Sequence, residues 1–410
     1  MSANFILTVI IVFYIVDFLI EQLVSFLDDK NNNASINPEL KGVYDEDKYA
    51  KSLKYNHQRY LFGLFKNSFS FIILLLCLLY GVFGNIETMI MSAYQNKLIV
   101  SICFFGIIFL FSEIISLPLS YYSTFVIEHK FGFNKTNLKT FLTDKLKSML
   151  IAFIIGTLIF SVLIFSLGYL GKNFWVLFWV FSVLFTIFIS EFYTVLIVPI
   201  FNKLLPLEDG DLRDAIKEFA NKVNFKIDNI FVIDSSRRSS KSNAYFSGLG
   251  KKKKIVIYDT LIKNHTKEEI VAIIAHEIGH YKHKHTIKGL IMSFVQTGFI
   301  LYLLSFAIFN SNVSIALGGT GISYNLGLIA FGLLFSPISL LFGILSNFLS
   351  RKFEYEADKY VDLNYETTHF IAALKKLYSD NLSNINPHKL NVFLNYSHPT
   401  LLQRIMAFKK

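Results

Sequence analysis

The chain has 410 residues, 53% of them hydrophobic and only 17% charged, with 43 phenylalanines and a formal net charge of +10. So much apolar surface at this length excludes an ordinary soluble enzyme and points to a mainly α-helical, polytopic membrane protein. The positive excess falls in loops between apolar runs, as membrane orientation requires, so no nucleic-acid partner is inferred from it.

Apolar runs lie near residues 4–26, 68–86, 98–120, 149–170, 174–198, 287–309 and 326–348. Each approaches the ~20 residues of a spanning helix, so seven spans are expected. The first run lacks a basic flank and a small-residue cleavage site, and reads as a retained helix rather than a signal peptide. Cys77 and Cys103 both fall inside spans, which argues against a disulfide framework or a cysteine-ligated zinc. Asp17, Glu21, Glu113 and Glu191 lie in or near spans. Such groups are costly against lipid and should face an interior cavity or partner one another.

Lysine and arginine alternate between loops. The loop after the first span runs from Lys30 to Lys66 and the third carries Lys130 to Lys147, whereas the second and fourth hold only Lys97 and Lys172. The N-terminus is therefore expected outside, with the 201–286 segment and the C-terminus cytoplasmic. Four regions follow: a five-helix membrane region at 1–200, a cytoplasmic segment at 201–286, two further spans at 287–349 and a C-terminal cytoplasmic segment at 350–410.

Within the cytoplasmic segment, Ile230 to Ile233, Ala244 to Phe246 and Ile255 to Tyr258 alternate with polar turns and suggest a small antiparallel β-sheet. Lys251 to Lys254 read as a solvated hairpin turn, with anionic lipid contact as the other reading. Next comes a stretch from Glu268 to Lys288 that reads as one helix. Thr266 and Glu269 form a capping box, and Ile270, Ile273, Ile274 and Ile278 build an apolar stripe.

This helix carries His276-Glu277-Ile278-Gly279-His280, the pattern H-E-x-x-H. Relative to His276, Glu277 points about 100° around the helix and His280 about 40°, so all three share one face. Two imidazoles can hold one zinc ion while the carboxylate between them reaches a water at that ion. A third ligand is needed. His283 is seven residues from His276, about 10.5 Å along a straight helix, so His283 and His285 read as residues of the membrane interface. Beyond the last span, Glu354 and Asp358 share a helix face, whereas Glu356 points about 200° away. Glu354 is assigned to the metal and Asp358 to the outer N–H of a ligating histidine. The plainer alternative is that these acids offset neighbouring Lys and Arg on a solvated helix.

At these residues the chain resembles the type I CAAX prenyl proteases, integral-membrane zinc endopeptidases of the gluzincin class with seven spans. Ala275 to His283 looks like their active-site helix and Ser350 to Asp358 like their third-ligand segment. Thr124 to Glu128 with Gly132 to Asn134, Ser242 to Phe246, and Tyr396-Ser397-His398-Pro399 match three further motifs. Tyr281, Asn395 and Thr400 depart from the family's usual Trp, His and Pro, which bears on substrate preference rather than on the metal. The resemblance implies a zincin-like cytoplasmic subdomain and one Zn2+ per chain on His276, His280 and Glu354. It also implies Glu277 as general base, His398 as oxyanion donor, and a substrate strand pairing with Asn243 and Ala244. A water-filled chamber among the spans is implied as well. The implied location is the endoplasmic reticulum membrane in a eukaryote or the inner membrane in a bacterium.

The first functional reading is thus removal of the terminal tripeptide from prenylated Cys-a-a-X proteins or cleavage of related membrane-associated peptides, with the lipid bilayer as a further partner. A second is a quality-control metalloprotease acting on unfolded membrane proteins, and a third a transporter or scaffold with structural zinc. Seven spans and the loop at Glu128 favour the first over the second. Glu277 and the missing fourth ligand argue against the third.

Overall fold

The computed structural model describes residues 1–227, 229–248 and 254–409. Its first half is helical: α1 Ala3–Asn32, α2 Glu46–Leu79, α3 Val82–Ala93, α4 Lys97–Tyr121 running on as a π-helix Tyr122–Glu128, α5 Leu138–Leu170, α6 Phe174–Leu196 and α7 Val198–Phe201. Side chains of Ser2, Asp45, Asn96 and Asn137 accept from free N–H groups at the starts of α1, α2, α4 and α5. Then follow β1 Leu204–Pro206, α8 Asp211–Lys222, β2 Asn229–Ile233, β3 Ala244–Ser247, β4 Lys254–Tyr258, α9 Asp259–Asn264, α10 Lys267–Lys282 and α11 His285–Ala307. The remainder is α12 Ser311–Ala316, α13 Tyr324–Leu334, α14 Ser336–Asn364, α15 Thr367–Asp380, α16 Lys389–Asn395 and α17 Leu401–Phe408.

Among the described residues, five helical stretches are long and apolar enough to cross a bilayer: Ala3–Asn32, Glu46–Leu79, Lys97–Glu128, Leu138–Phe201 and His285–Ala307. A sixth arises if α13 and α14, bent by 55°, count as one span. Seven were expected. The difference lies in the 64-residue stretch, where α5 and α6 are separated only by the short turn Gly171–Asn173. The bend after α13 has a local cause. Pro337 stands in the first turn of α14, lacks an N–H and crowds the preceding turn, so the run at 326–348 is not one straight helix. The run at 68–86 likewise crosses the end of α2. Along α11, Ile291, Val295, Phe299, Tyr302 and Phe306 are exposed at helical spacing, a stripe that lipid rather than water would cover.

The intramembrane acids are accommodated individually. Asp17 and Glu21 line a cavity of about 520 Å³, and Glu21 accepts a hydrogen bond from Asn67. Glu113 pairs with Lys145 at 3.3 Å rather than with another acid.

The sheet is mixed, not antiparallel. Its order is β1-β2-β4-β3, with β2 and β4 parallel and the two outer pairs antiparallel. Ile255, Val256 and Ile257 of β4 are each fully buried, so this strand is covered on both faces and takes a central place. β3 therefore lies beyond it, at the sheet edge, and the β2–β3 connection skips a strand. Strand β1, which ends in Pro206, was not anticipated. The Lys251 to Lys253 part of the lysine run lies outside the described residues, while Lys254 begins β4.

Helix α10 runs through the middle of the largest core, against α8, α14, α15 and the sheet. Its capping box is present. Ile270, Ile273, Ile274 and Ile278 are all buried, each contributing ~1.5–3 kcal/mol of apolar burial. The helix ends at Lys282, and Lys284 at φ +58° turns the chain into α11. The single helix expected over 268–288 is therefore two.

The loop after the third span braces the sheet edge. Lys135 N donates to Arg238 O, Ser240 N donates to Phe133 O, and Arg238 grips Asp144 with two bonds of 2.7 and 3.1 Å. Tyr55 donates to Glu128 at 2.6 Å, and Lys241 lies 3.0 Å from the other Glu128 oxygen. These contacts fix the chain just before Asn243 and Ala244.

Candidate metal centre

His276 and His280 stand one turn apart on α10 and face α14, which presents Glu354. Nε2 of His280 lies 3.1 Å from Nε2 of His276 and 3.2 Å from Glu354 Oε1, while His276 Nε2 is 3.4 Å from Glu354 Oε2. Three basic atoms thus converge within a radius that one metal ion could occupy. Glu354 is buried, and its Oε2 makes no well-aligned hydrogen bond although His276, His398 and Arg404 bring nitrogens to 3.4, 3.0 and 3.6 Å of it. A buried carboxylate ringed by nitrogens but poorly aligned to any of them suits a metal ligand better than a plain hydrogen-bond acceptor.

The close approach of the two helices depends on Gly279. A Cβ there would sit 3.0 Å from Tyr360 Cβ and 3.1 Å from Ala357 Cα. Glycine therefore lets α10 lie against α14 directly beside His280 and Glu354.

Asp358, one turn beyond Glu354, places Oδ1 3.0 Å from His276 Nδ1. Its own orientation is set by Arg404 of α17, whose Nε and Nη2 reach the two carboxylate oxygens at 2.9 and 2.5 Å. Arg404 was not singled out from the sequence. A lone arginine between Leu401 and Ile405 on an apolar helix start was the available signal. That helix begins with a second capping box, Thr400 with Gln403, so Thr400 serves as an N-cap.

Burial opposes charging His276, but Asp358 and Glu354 outweigh it and push its pKa up to about 9. A metal at Nε2 must therefore compete with a proton. Glu277 points into a pocket of about 570 Å³ that also receives Asn243, Ala244, His276, Glu354 and His398. Burial raises the Glu277 carboxyl above its ordinary range against the pull of His276 and His280.

His398 is largely exposed and lies with Nδ1 3.0 Å from Glu354 Oε2. Arg351 holds the preceding backbone by donating to the carbonyls of Val392 and Tyr396. Ala244 begins the edge strand with Asn243 just before it, and the Asn243 carbonyl is already taken by Tyr258 N at 3.1 Å. The outer side of β3 pairs with no strand among the described residues. The pocket shares Asn395 with the cavity of Asp17 and Glu21, and Tyr396 with a third cavity lined by Asp28 and Arg59.

The expected interfacial role of His283 and His285 does not hold for His285. It is buried, with Nδ1 3.0 Å from His280 Nδ1 and Nε2 2.9 Å from Glu356. The turn at Lys284 folds it back onto α10, which a straight helix would forbid.

Comparison with known proteins completes the picture. A family model described as the CAAX prenyl protease N-terminal region with five membrane helices matches residues 29–203, and the model of peptidase family M48 matches residues 206–410. CAAX prenyl protease 1 of Saccharomyces cerevisiae is 33% identical over 96% of this chain and 93% of its own length. The Arabidopsis thaliana homologue of CAAX prenyl protease 1 is 35% identical over 90% of this chain and 89% of its own. The crystal structure of S. mikatae Ste24p superposes with a TM-score of 0.94 at 32% identity, covering 99% of both chains.

Proposed function

This chain belongs to the CAAX prenyl proteases of peptidase family M48, a family of membrane metalloendopeptidases, and on that footing we propose that its metal is zinc, one ion per chain, and its substrates are prenylated Cys-a-a-X proteins or related membrane-associated peptides. The observation that carries this reading is the pocket itself. His276, Glu354, the raised-pKa Glu277, His398 and the start of an unpaired strand edge meet there, and Asn395 lines both this pocket and the cavity of Asp17 and Glu21.

His276, His280 and Glu354 would hold the ion, and with no fourth residue grouped with them among the described residues one position would stay open, as in catalytic zinc sites. The chemistry such an ion supplies is Lewis-acid polarisation of the scissile carbonyl and acidification of water. Asp358 accepts a hydrogen bond from Nδ1 of His276, which would leave the Nε2 lone pair free for the ion, and Arg404 keeps Asp358 in place. Glu277 takes the proton from the attacking water and returns it to the leaving amine; its raised proton affinity suits a group that must do both. His398 donates to the developing oxyanion. The substrate adds to the outer side of β3 beside Asn243 and Ala244, so that backbone pairing sets the register of the scissile bond.

The membrane reading comprises seven crossings, with α5 and α6 counted separately and α13 and α14 as one bent span. The N-terminus lies outside and the pocket faces the cytoplasm, on the strength of the alternating lysine and arginine content of the loops. In a eukaryotic cell the location is the endoplasmic reticulum membrane. The test compares a farnesylated Cys-a-a-X peptide with its unprenylated counterpart, with and without a zinc chelator. Chelator-sensitive cleavage that favours the farnesylated peptide is expected. Cleavage of unfolded membrane proteins with neither peptide touched would favour the quality-control reading instead.

A further inference from the structure

One of the two ligating histidines has its support explained by Asp358 and Arg404. His280 needs an equivalent, and the sequence motif offers none. Its Nε2 faces His276 and Glu354, which leaves Nδ1 for an outer partner. That partner is His285, 3.0 Å away through Nδ1, and the far nitrogen of His285 reaches Glu356 Oε2 at 2.9 Å. The His285 ring is clamped against Phe353, with centroids 4.3 Å apart and planes at 11°, and lies alongside His283 at 5.5 Å and 13°.

Only one arrangement of protons satisfies this chain when His280 offers its Nε2 lone pair to a metal. Nδ1 of His280 then carries hydrogen and donates to Nδ1 of His285, which must accept. The hydrogen of His285 is therefore on Nε2 and is donated to Glu356. Resting on the zinc reading above, we infer that His285 and Glu356 are positioning residues that fix the tautomer and ring orientation of His280. Helix α14 thus supplies a ligand, Glu354, and the carboxylates behind both ligating histidines, Asp358 and Glu356.

His283, His285 and Glu356 also cluster closely enough to suggest a cation site of their own. The proton arrangement rules against its filling alongside the first. A metal on Nε2 of His285 would send that ring's hydrogen to Nδ1, where it would meet the N–H of His280. One ion per chain is the consequence.

The experiment uses the full chain in detergent and reads zinc affinity by chelator competition, metal content by mass spectrometry and the visible spectrum of the cobalt-substituted protein. His285→Phe and Glu356→Ala are each expected to weaken zinc binding ~10- to 100-fold and to shift the cobalt bands. Glu356→Gln keeps an acceptor oxygen and is expected to stay within about threefold of the parent. Unchanged affinity and cobalt spectrum in both disruptive variants, with one zinc per chain throughout, would overturn the positioning role while leaving the zinc site standing. Two metals in the parent, one of them lost in Glu356→Ala without effect on the other, would overturn it as well. A parent chain that binds no zinc would instead bring down the zinc reading itself.

Discussion

Replacing Arg404 with methionine keeps an apolar stem of similar reach but removes the fork that grips Asp358. Both side chains are buried, at 7% and 2% exposure. Asp358 would retain His276 alone, at 3.0 Å from one oxygen. Breaking a buried pair by removing one partner costs ~3–5 kcal/mol, because the other charge stays desolvated and uncompensated. Part of that loss comes from the orphaned carboxylate, so adding Asp358→Leu should recover some of it. A double-mutant cycle by equilibrium unfolding in detergent should therefore show a coupling of ~2–3 kcal/mol between the two positions. Metal affinity behaves differently: it should fall ~10-fold in Arg404→Met and stay low in the double variant, since the orientation of His276 is lost in both. If Arg404→Met unfolds within ~0.5 kcal/mol of the parent, or the two changes are simply additive, the buried fork does not do what is claimed for it.

Gly279→Ala should push α10 away from α14, because the new methyl meets Tyr360 and Ala357 at 3.0–3.1 Å. A loss of ~1–3 kcal/mol in stability with weakened zinc retention is expected on dialysis, and an unchanged metal content and melting point would contradict the tight crossing. Lys241→Met removes the cation between Glu128 and Tyr55, loosening the segment before Asn243; peptide cleavage should show a raised KM with kcat little changed, and the reverse pattern would refute the bracing role. Asp259 is held below its ordinary pKa: burial acts to raise it, but hydrogen bonds from Ser236, Ser235 and Thr260 prevail. Its folded pKa lies below the unfolded value, so its contribution is complete above about pH 4 and lost as pH falls through the folded pKa. Asp259→Asn should lower stability at neutral pH and flatten the acid limb of the unfolding curve, whereas a parallel shift at all pH values would contradict that origin.

What could be read in advance was what depends on local periodicity. The capping box at Thr266, the convergence of His276 and His280, and the i,i+4 relation of Glu354 and Asp358 are all set within two turns of helix, and the structure shows each of these arrangements. Features set by contacts between distant segments were not legible. Arg404 reaches Asp358 from 46 residues away, and only the fold brings them together. His285 escaped because the left-handed turn falls on Lys284, a residue type that does not announce one. The parallel pairing of β2 and β4 escaped because strand order in space is not written in alternation along the chain. Pro337 did signal the break before α14, but average hydropathy over 326–348 masked it.

The most direct test of the central claim is the pair formed by the parent chain and Glu277→Gln, each assayed on a farnesylated Cys-a-a-X peptide after its zinc content is measured. The amide keeps the size of the side chain but cannot take a proton from water. Equal zinc in both proteins with cleavage reduced at least ~100-fold in the variant is the predicted result. Equal zinc with equal cleavage would contradict it.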